Sequence, residues 1–397
     1  MTRKLSFLGV LSVLLIGAFG AGSSAVAAEP VAAQNMTPLL LAIHDAPVPF
    51  MGSDGHIHLV YELWLTNFSS AEADIEQVKI MGDGKLLETM EKSAIEKKLI
   101  PAGTRQPSAE AKMDHSTEAL LFIHVTLPIG AEAPQHLTNQ VKARFVAAPP
   151  GRQEIVSPLD NSPVDRRAVV TIGPPLRGDH YISADSCCDA SRHTQAALAA
   201  NGRVWLAQRY AVDWEKLDDQ NRIYVGPKEK VTSYKIYGQP VHAVADGTVV
   251  TAINDQPEQV PGHFPTAPTL EEADGNAVVE DIGGGNWAMY AHMQPGSLRV
   301  HRLEKIVRGQ VIGLVGNSGN SLAPHLHFQV TNGPLPMASN GLPYEIDHYE
   351  ITAISPGTEA FDTAESAGTP LALTQVSPPK KVTNALPLDQ LIISFGH

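Results

Sequence analysis

The stretch GHIHLVYELWLTNFS, residues 55–69, alternates along its length, so that Ile57, Leu59, Tyr61, Leu63 and Leu65 fall on one face. That is the period of two that a half-buried strand requires. IEQVKIM, ALLFIHVTL, QVKARFVA and RAVVTIG follow in the same style, separated by Gly, Pro and Asp-Gly turns, and no long helical period interrupts them. Short strands with frequent turns constrain about residues 40–175 to an antiparallel β-sandwich. Within it, His56 and His58 read as strand surface.

Residues 176–350 are also mostly β, with more glycine. VHAVADGTVVTAI, GNAVVEDIG, NWAMYAHM and GQVIGLVGNSG are strands joined by glycine turns, and Glu258–Gly275 is a polar, proline-rich loop suited to the border of a groove. After residue 350 the chain turns Pro-, Thr- and Ser-rich and ends in LDQLIISF, which reads as an extended tail, 351–397, whose last strand docks on a sheet. The fold class expected is therefore mainly β, in two domains and a tail.

Residues 1–28 have the parts of a secretory signal: Arg3 and Lys4, an apolar run to about Ala21, and Ala25-Val26-Ala27 for cleavage. No later segment is apolar enough to span a bilayer. The mature chain is expected to be secreted or periplasmic, without a transmembrane segment. The formal charge of −13, or −15 once Arg3 and Lys4 leave with the signal, argues against a nucleic-acid partner, because phosphate contacts need a basic surface. The only cysteines, Cys187 and Cys188, are adjacent. No long-range disulfide can form within the chain, which leaves a vicinal disulfide, free thiols or a metal thiolate.

The chemistry concentrates in PHLHFQV, residues 324–330. A strand turns successive side chains to opposite faces, so His325 and His327 point the same way and suggest a metal, a proton relay or both. Upstream, DSCCDASRHTQ places Cys187, Cys188 and His193 close together just before QRYAVDW, which carries Arg209 and Asp213. Glu215, Asp218 and Asp219 read as a solvated turn, and Trp205, Tyr210 and Trp214 as core or groove wall.

GNSGNSLAPHLHFQV, together with YAHM at Tyr290–Met293, VHAVADGTVV and the GQVIGLVG turn, resembles the lysostaphin/LytM-type zinc endopeptidases of bacterial cell-wall peptidoglycan. The likeness covers about residues 200–332. It implies a compact antiparallel β fold with Zn2+ on the floor of a groove. In that family zinc is held by the His and Asp of an HxxxD motif and by the second His of HxH. The pattern makes Asp213 and His327 ligands, and His325 and His292 the residues that polarise water and stabilise the oxyanion. The substrate implied is the peptide cross-link of peptidoglycan, with the sandwich as a platform toward another envelope protein or the wall.

The pattern breaks at Arg209, which stands where the first histidine belongs. A guanidinium has no lone pair for a metal. Two consequences are open. Arg209 pairs with Asp213, and the chain is an inactive module that binds peptidoglycan or activates another wall hydrolase. Alternatively, a residue of Asp185–Arg203 replaces the missing ligand, His193 before the thiols, and Arg209 serves an acidic substrate group or an outer contact.

Overall fold

The computed structural model describes residues 35–265 and 269–396; the signal-like segment 1–28 lies outside the described residues. Two five-stranded antiparallel sheets form the N-terminal sandwich. One runs in the order Leu39–Ala42, Ile57–Asn67, Glu118–Thr126, Leu99–Pro101, with Phe50–Met51 paired to the second of these. The other runs Glu154–Pro163, His136–Phe145, Ala73–Gly82, Lys85–Glu91, with Lys112–Met113 on the third. Leu59, Tyr61, Leu63 and Leu65 face Ile75, Val78, Ile80 and Val141 in the core between them. Each such side chain fully buried contributes about 1.5–3 kcal/mol.

The other face of Ile57–Asn67 is not surface. Val60 and the neighbouring Phe50 enter the core of the second half of the molecule beside Tyr210, Leu342 and Tyr344. Glu62 on that face is also buried. His58, expected at the surface, is 2% exposed. The alternation was genuine, but the polar face met a second domain instead of water, which one strand's pattern does not reveal.

That second half is organised by a ten-stranded sheet, antiparallel throughout. Its order is Lys305–Ile306, Gly247–Ile253, Asn276–Gly283, Asn286–Met293, Leu326–Thr331, Val212–Lys216, Tyr181–Ala184, Leu391–Ser394, Tyr349–Ile354, Thr374–Val382. The last strand expected to dock on a sheet, Leu391–Ser394, does so, but the rest of 351–397 is not the extended tail expected. Three of these strands come from residues 349–394, and a helix, Thr358–Ala367, stands between two of them. Phe361 and Ala364 are its buried face, and Gly368, at φ 65°, ends it in a left-handed cap. Pro378 and Pro379 sit within Thr374–Val382; this is the edge strand, where a missing N–H is tolerated.

Candidate active site

Four adjacent strands of the large sheet build the site. Ala184, Asp213, His327 and Ala291 lie opposite one another in register across them. Directly paired residues share a face, so the carboxylate and imidazole project together. Both flanking positions are alanine, which leaves room for side chains arriving from the loops. His193 enters from the loop after Tyr181–Ala184, His292 from the end of Asn286–Met293, and His325 from just before Leu326–Thr331.

These groups converge. Asp213 Oδ1 is 2.8 Å from His327 Nδ1 and 3.4 Å from His325 Nε2, and Asp213 Oδ2 is 3.4 Å from His193 Nε2. Donor atoms of His193, Asp213 and His327 all lie within 4.8 Å of one another, as do those of His292, His325 and His327. Metal–ligand bonds of ~2.0–2.2 Å in a tetrahedron put donors about 3.4 Å apart, so the first trio is spaced for an ion. Two imidazoles and one carboxylate leave a fourth position open, as hydrolytic zinc sites require.

The outer nitrogens are already committed. His193 Nδ1 lies 2.8 Å from the Asp185 carbonyl, His292 Nδ1 2.8 Å from the Ser318 carbonyl, and His325 Nδ1 2.8 Å from the Ala323 carbonyl. A carbonyl only accepts, so each Nδ1 carries a proton and Nε2 is the nitrogen left to face the cleft. His327 is held the other way. Gln329 Nε2 donates to the Pro336 carbonyl at 3.0 Å, which turns its Oε1 to His327 Nε2, also at 3.0 Å. His327 Nε2 is therefore the donor, and Nδ1 faces Asp213.

The glycine-rich turn Gly316–Asn320 explains how His292 is held. Gly319 has φ +74°, and a Cβ there would stand 2.3 Å from the Gly275 backbone nitrogen. Only glycine permits this approach. It presses the Ser318 carbonyl onto His292, itself at φ 59°.

Burial pushes the Asp213 carboxyl up, but His193 and His325, with the His327 hydrogen bond, outweigh it and hold it well below the usual range. Burial works against the charged His327 ring, yet its bond to Asp213 raises it above an ordinary imidazole. His292 is driven well down by burial and by the neighbouring His325 and His327. Burial also lowers His193, against the pull of Asp213.

The cleft above these residues, ≈ 670 Å³, is walled by Arg105 and Gln106 of the sandwich, Phe264, and Phe361 and Glu365 of the C-terminal helix. Glu215, expected in a solvated turn, is 6% exposed and lines this cleft. It stands two residues from Asp213 on the same strand and so on the same face. Burial and the nearby Glu365 push its carboxyl well up. Asp218, also expected in that turn, is buried and accepts from Arg222.

Arg209 takes neither expected role. It is buried and grips Glu62 of the sandwich, with Nε 2.8 Å from Oε1 and a second bond from the guanidinium to Oε2. It does not meet Asp213, and it is not among the cleft-lining residues. Cys187 and Cys188 form a disulfide with each other. Tyr290 is corrected as a site residue: it is fully buried in the core, donating to Glu280 Oε2 at 2.7 Å and accepting from the Val244 N–H at 2.8 Å. Gln329 and the three carbonyl anchors were missed. Gln329 was findable, being two residues beyond His327 on one strand face.

Residues 230–339 match Peptidase family M23. His292, His325 and His327 lie inside that segment; His193 and Asp213 lie before it. The peptidoglycan DD-endopeptidase ShyA of Vibrio cholerae serotype O1 is 29% identical over 177 residues, 40% of this chain and 37% of that protein. Endolysin 2638A of Staphylococcus phage 2638A is 37% identical over 93 residues, 23% of this chain and 16% of that protein. The chain thus spans well under half the length of these curated relatives. Among solved structures, the lysostaphin catalytic domain from Staphylococcus simulans is matched at 23% identity and TM-score 0.22, over 36% of this chain and 80% of that one. A zinc-containing peptidase from Vibrio cholerae is matched at 15% identity and TM-score 0.25, over 76% and 83%.

Proposed function

We propose that this chain, which carries a Peptidase family M23 domain at residues 230–339, is a zinc-dependent endopeptidase that cuts peptide cross-links of bacterial peptidoglycan. One observation carries the reading: His193, Asp213 and His327 bring three donor atoms within 4.8 Å of one another, beside His325 and His292. His193 and His327 contribute neutral nitrogens and Asp213 the charge. When bound there, zinc polarises a carbonyl and makes water more acidic.

The remaining work falls to the chain. His325 Nε2, with its Nδ1–H tied to the Ala323 carbonyl, accepts the proton of the attacking water. His292 Nε2 is the second base, kept neutral by burial. Whichever ring takes the proton gains an N–H that donates to the developing oxyanion and then protonates the departing amine. The cleft walls orient the peptide. The signal-like segment supports a secreted or periplasmic site of action, and the sandwich is proposed to position the domain on the wall or an envelope partner.

Zinc content and hydrolysis of purified wall fragments test this together. The wild type is expected to bind one zinc in the cleft and release cross-link peptides, while Asp213→Asn does neither. A zinc-loaded wild type that binds fragments without cutting them would favour the non-catalytic module instead.

A further inference from the structure

A second group of metal-capable side chains lies between the sandwich and the loop that carries His193. His58 is on Ile57–Asn67, His124 on Glu118–Thr126, and Cys188 in the loop after Tyr181–Ala184. Their donor atoms lie within 4.8 Å of one another, and none belongs to the cleft.

The hydrogen bonds fix both tautomers. His58 Nε2 is 3.1 Å from Asp54 Oδ1, and His124 Nδ1 is 2.9 Å from Asp189 Oδ2. An ionised carboxylate only accepts, so these nitrogens hold the protons. The other two, His58 Nδ1 and His124 Nε2, then present lone pairs to each other at 2.8 Å. The ring centroids are 5.1 Å apart and the planes differ by 25°. The rings therefore meet edge to edge with the nitrogens between them. Thr126 Oγ1, 3.4 Å from one nitrogen and 3.3 Å from the other, has one hydroxyl proton and satisfies only one. A positive particle belongs in this gap.

The surroundings hold the rings in place. Phe50 lies against His58 at 5.4 Å between centroids, and a Cβ on Gly52 would stand 2.4 Å from His58 Nε2. A carboxylate behind a histidine is the usual support of a metal-binding imidazole, fixing its tautomer and raising its basicity. Here that support occurs twice, with a sulfur alongside.

We propose that His58, His124 and Cys188 form a second zinc site, filled when the Cys187–Cys188 disulfide is reduced. A disulfide sulfur is a poor ligand and a thiolate a strong one. A phosphine reductant supplies the step: phosphine and water become phosphine oxide, and the disulfide takes up two electrons and two protons to give two thiols. Cys188 then loses its proton to solvent on binding the ion. Zinc at ~2.0–2.1 Å from each nitrogen opens their separation to about 3.3 Å, a shift of half an ångström. The filled site ties the His193 loop to the sandwich, whether or not the cleft is catalytic.

Cobalt(II) tests this on the full chain, because a thiolate ligand gives a near-ultraviolet charge-transfer band that the nitrogen and oxygen donors of the cleft cannot. The phosphine-reduced protein is expected to develop the band under anaerobic conditions, and the disulfide form to lack it. Cys187→Ser, which leaves Cys188 a permanent thiol, is expected to show it without reductant. His124→Gln in that background should weaken the cobalt affinity behind the band at least ~tenfold. The proposal fails if both the reduced protein and Cys187→Ser remain without the band. It also fails if His124→Gln and His58→Gln keep the band at undiminished affinity, since the thiol would then hold the ion without the imidazoles.

Discussion

Arg209→Ala separates the residue's structural part from any part in the cleft. The side chains of Arg209 and Glu62 are 6% and 3% exposed, and two hydrogen bonds join them. Removing the guanidinium leaves a carboxylate buried between the domains with no counter-charge, which costs about 3–5 kcal/mol. At ~2 °C per kcal/mol for a chain of this size, thermal unfolding should fall by ~6–10 °C. Replacing both partners, Arg209→Met with Glu62→Leu, should recover most of that, because an apolar pair of similar volume needs no counter-charge. Zinc affinity should stay within about threefold in both variants, and Arg209→His, although it restores the residue type usual in the related motif, should not raise it. Differential scanning fluorimetry with and without chelator, alongside zinc titration, reads all of these. The reasoning is refuted if Arg209→Ala unfolds within ~1 °C of the wild type, or if it loses zinc as Asp213→Ala does.

His193→Ala should lower zinc affinity about as strongly as Asp213→Ala; unchanged zinc occupancy would remove His193 from the ligand set. Gln329→Leu should weaken zinc by ~10–100-fold through loss of the bond that fixes the His327 tautomer, measured by competition with a chromophoric chelator. Zinc affinity should also fall with pH, approaching tenfold per unit. The metal-free His327 is raised above its ordinary value, so a proton competes for Nδ1 already above the range where a free imidazole titrates. The same shift contributes stability to the metal-free protein that is fully present below the unfolded imidazole value and is lost as pH rises through the folded one. An affinity flat between pH 8 and 5 would refute the competition.

Much of the cleft was legible in the chain. The His325–His327 spacing, the glycine turn and Asp213 all carry local signals, because strand alternation and tight turns are set by neighbours in sequence. What stayed hidden depends on contacts between distant segments. Arg209 looked like a defect in a metal motif because its partner, Glu62, lies 147 residues away on a strand whose polar face appeared to be surface. The same docking buried His58. Glu215 was misread because a charged residue near other charges suggests solvent, although two-residue spacing from Asp213 placed it in the cleft. The tail was misjudged on composition: its prolines fit an edge strand, and its helix is too short to announce itself.

The placement of His193, the proposed third donor, depends on that C-terminal segment. Gln390 N–H donates to the Ser183 carbonyl at 2.7 Å, Ser186 N–H to Asp389 Oδ1 at 3.1 Å, and Asp389 N–H to the Cys187 carbonyl at 3.2 Å. They frame Asp185, whose carbonyl orients His193. Arg192 then ties the Asp185 carboxylate, at 2.8 Å, to Asp362 of the C-terminal helix. Arg192 is half-exposed, so each of its ion pairs is worth no more than about 1 kcal/mol. Arg192→Ala should therefore fold normally and lose only ~2–5-fold in zinc affinity, within what 1 kcal/mol permits, through a looser loop. The double variant Arg192→Ala with His193→Ala should then lose no more in total than His193→Ala alone, because both act through one side chain. Losses that multiply independently would mean that Arg192 reaches the metal by another route and that the loop does not position His193.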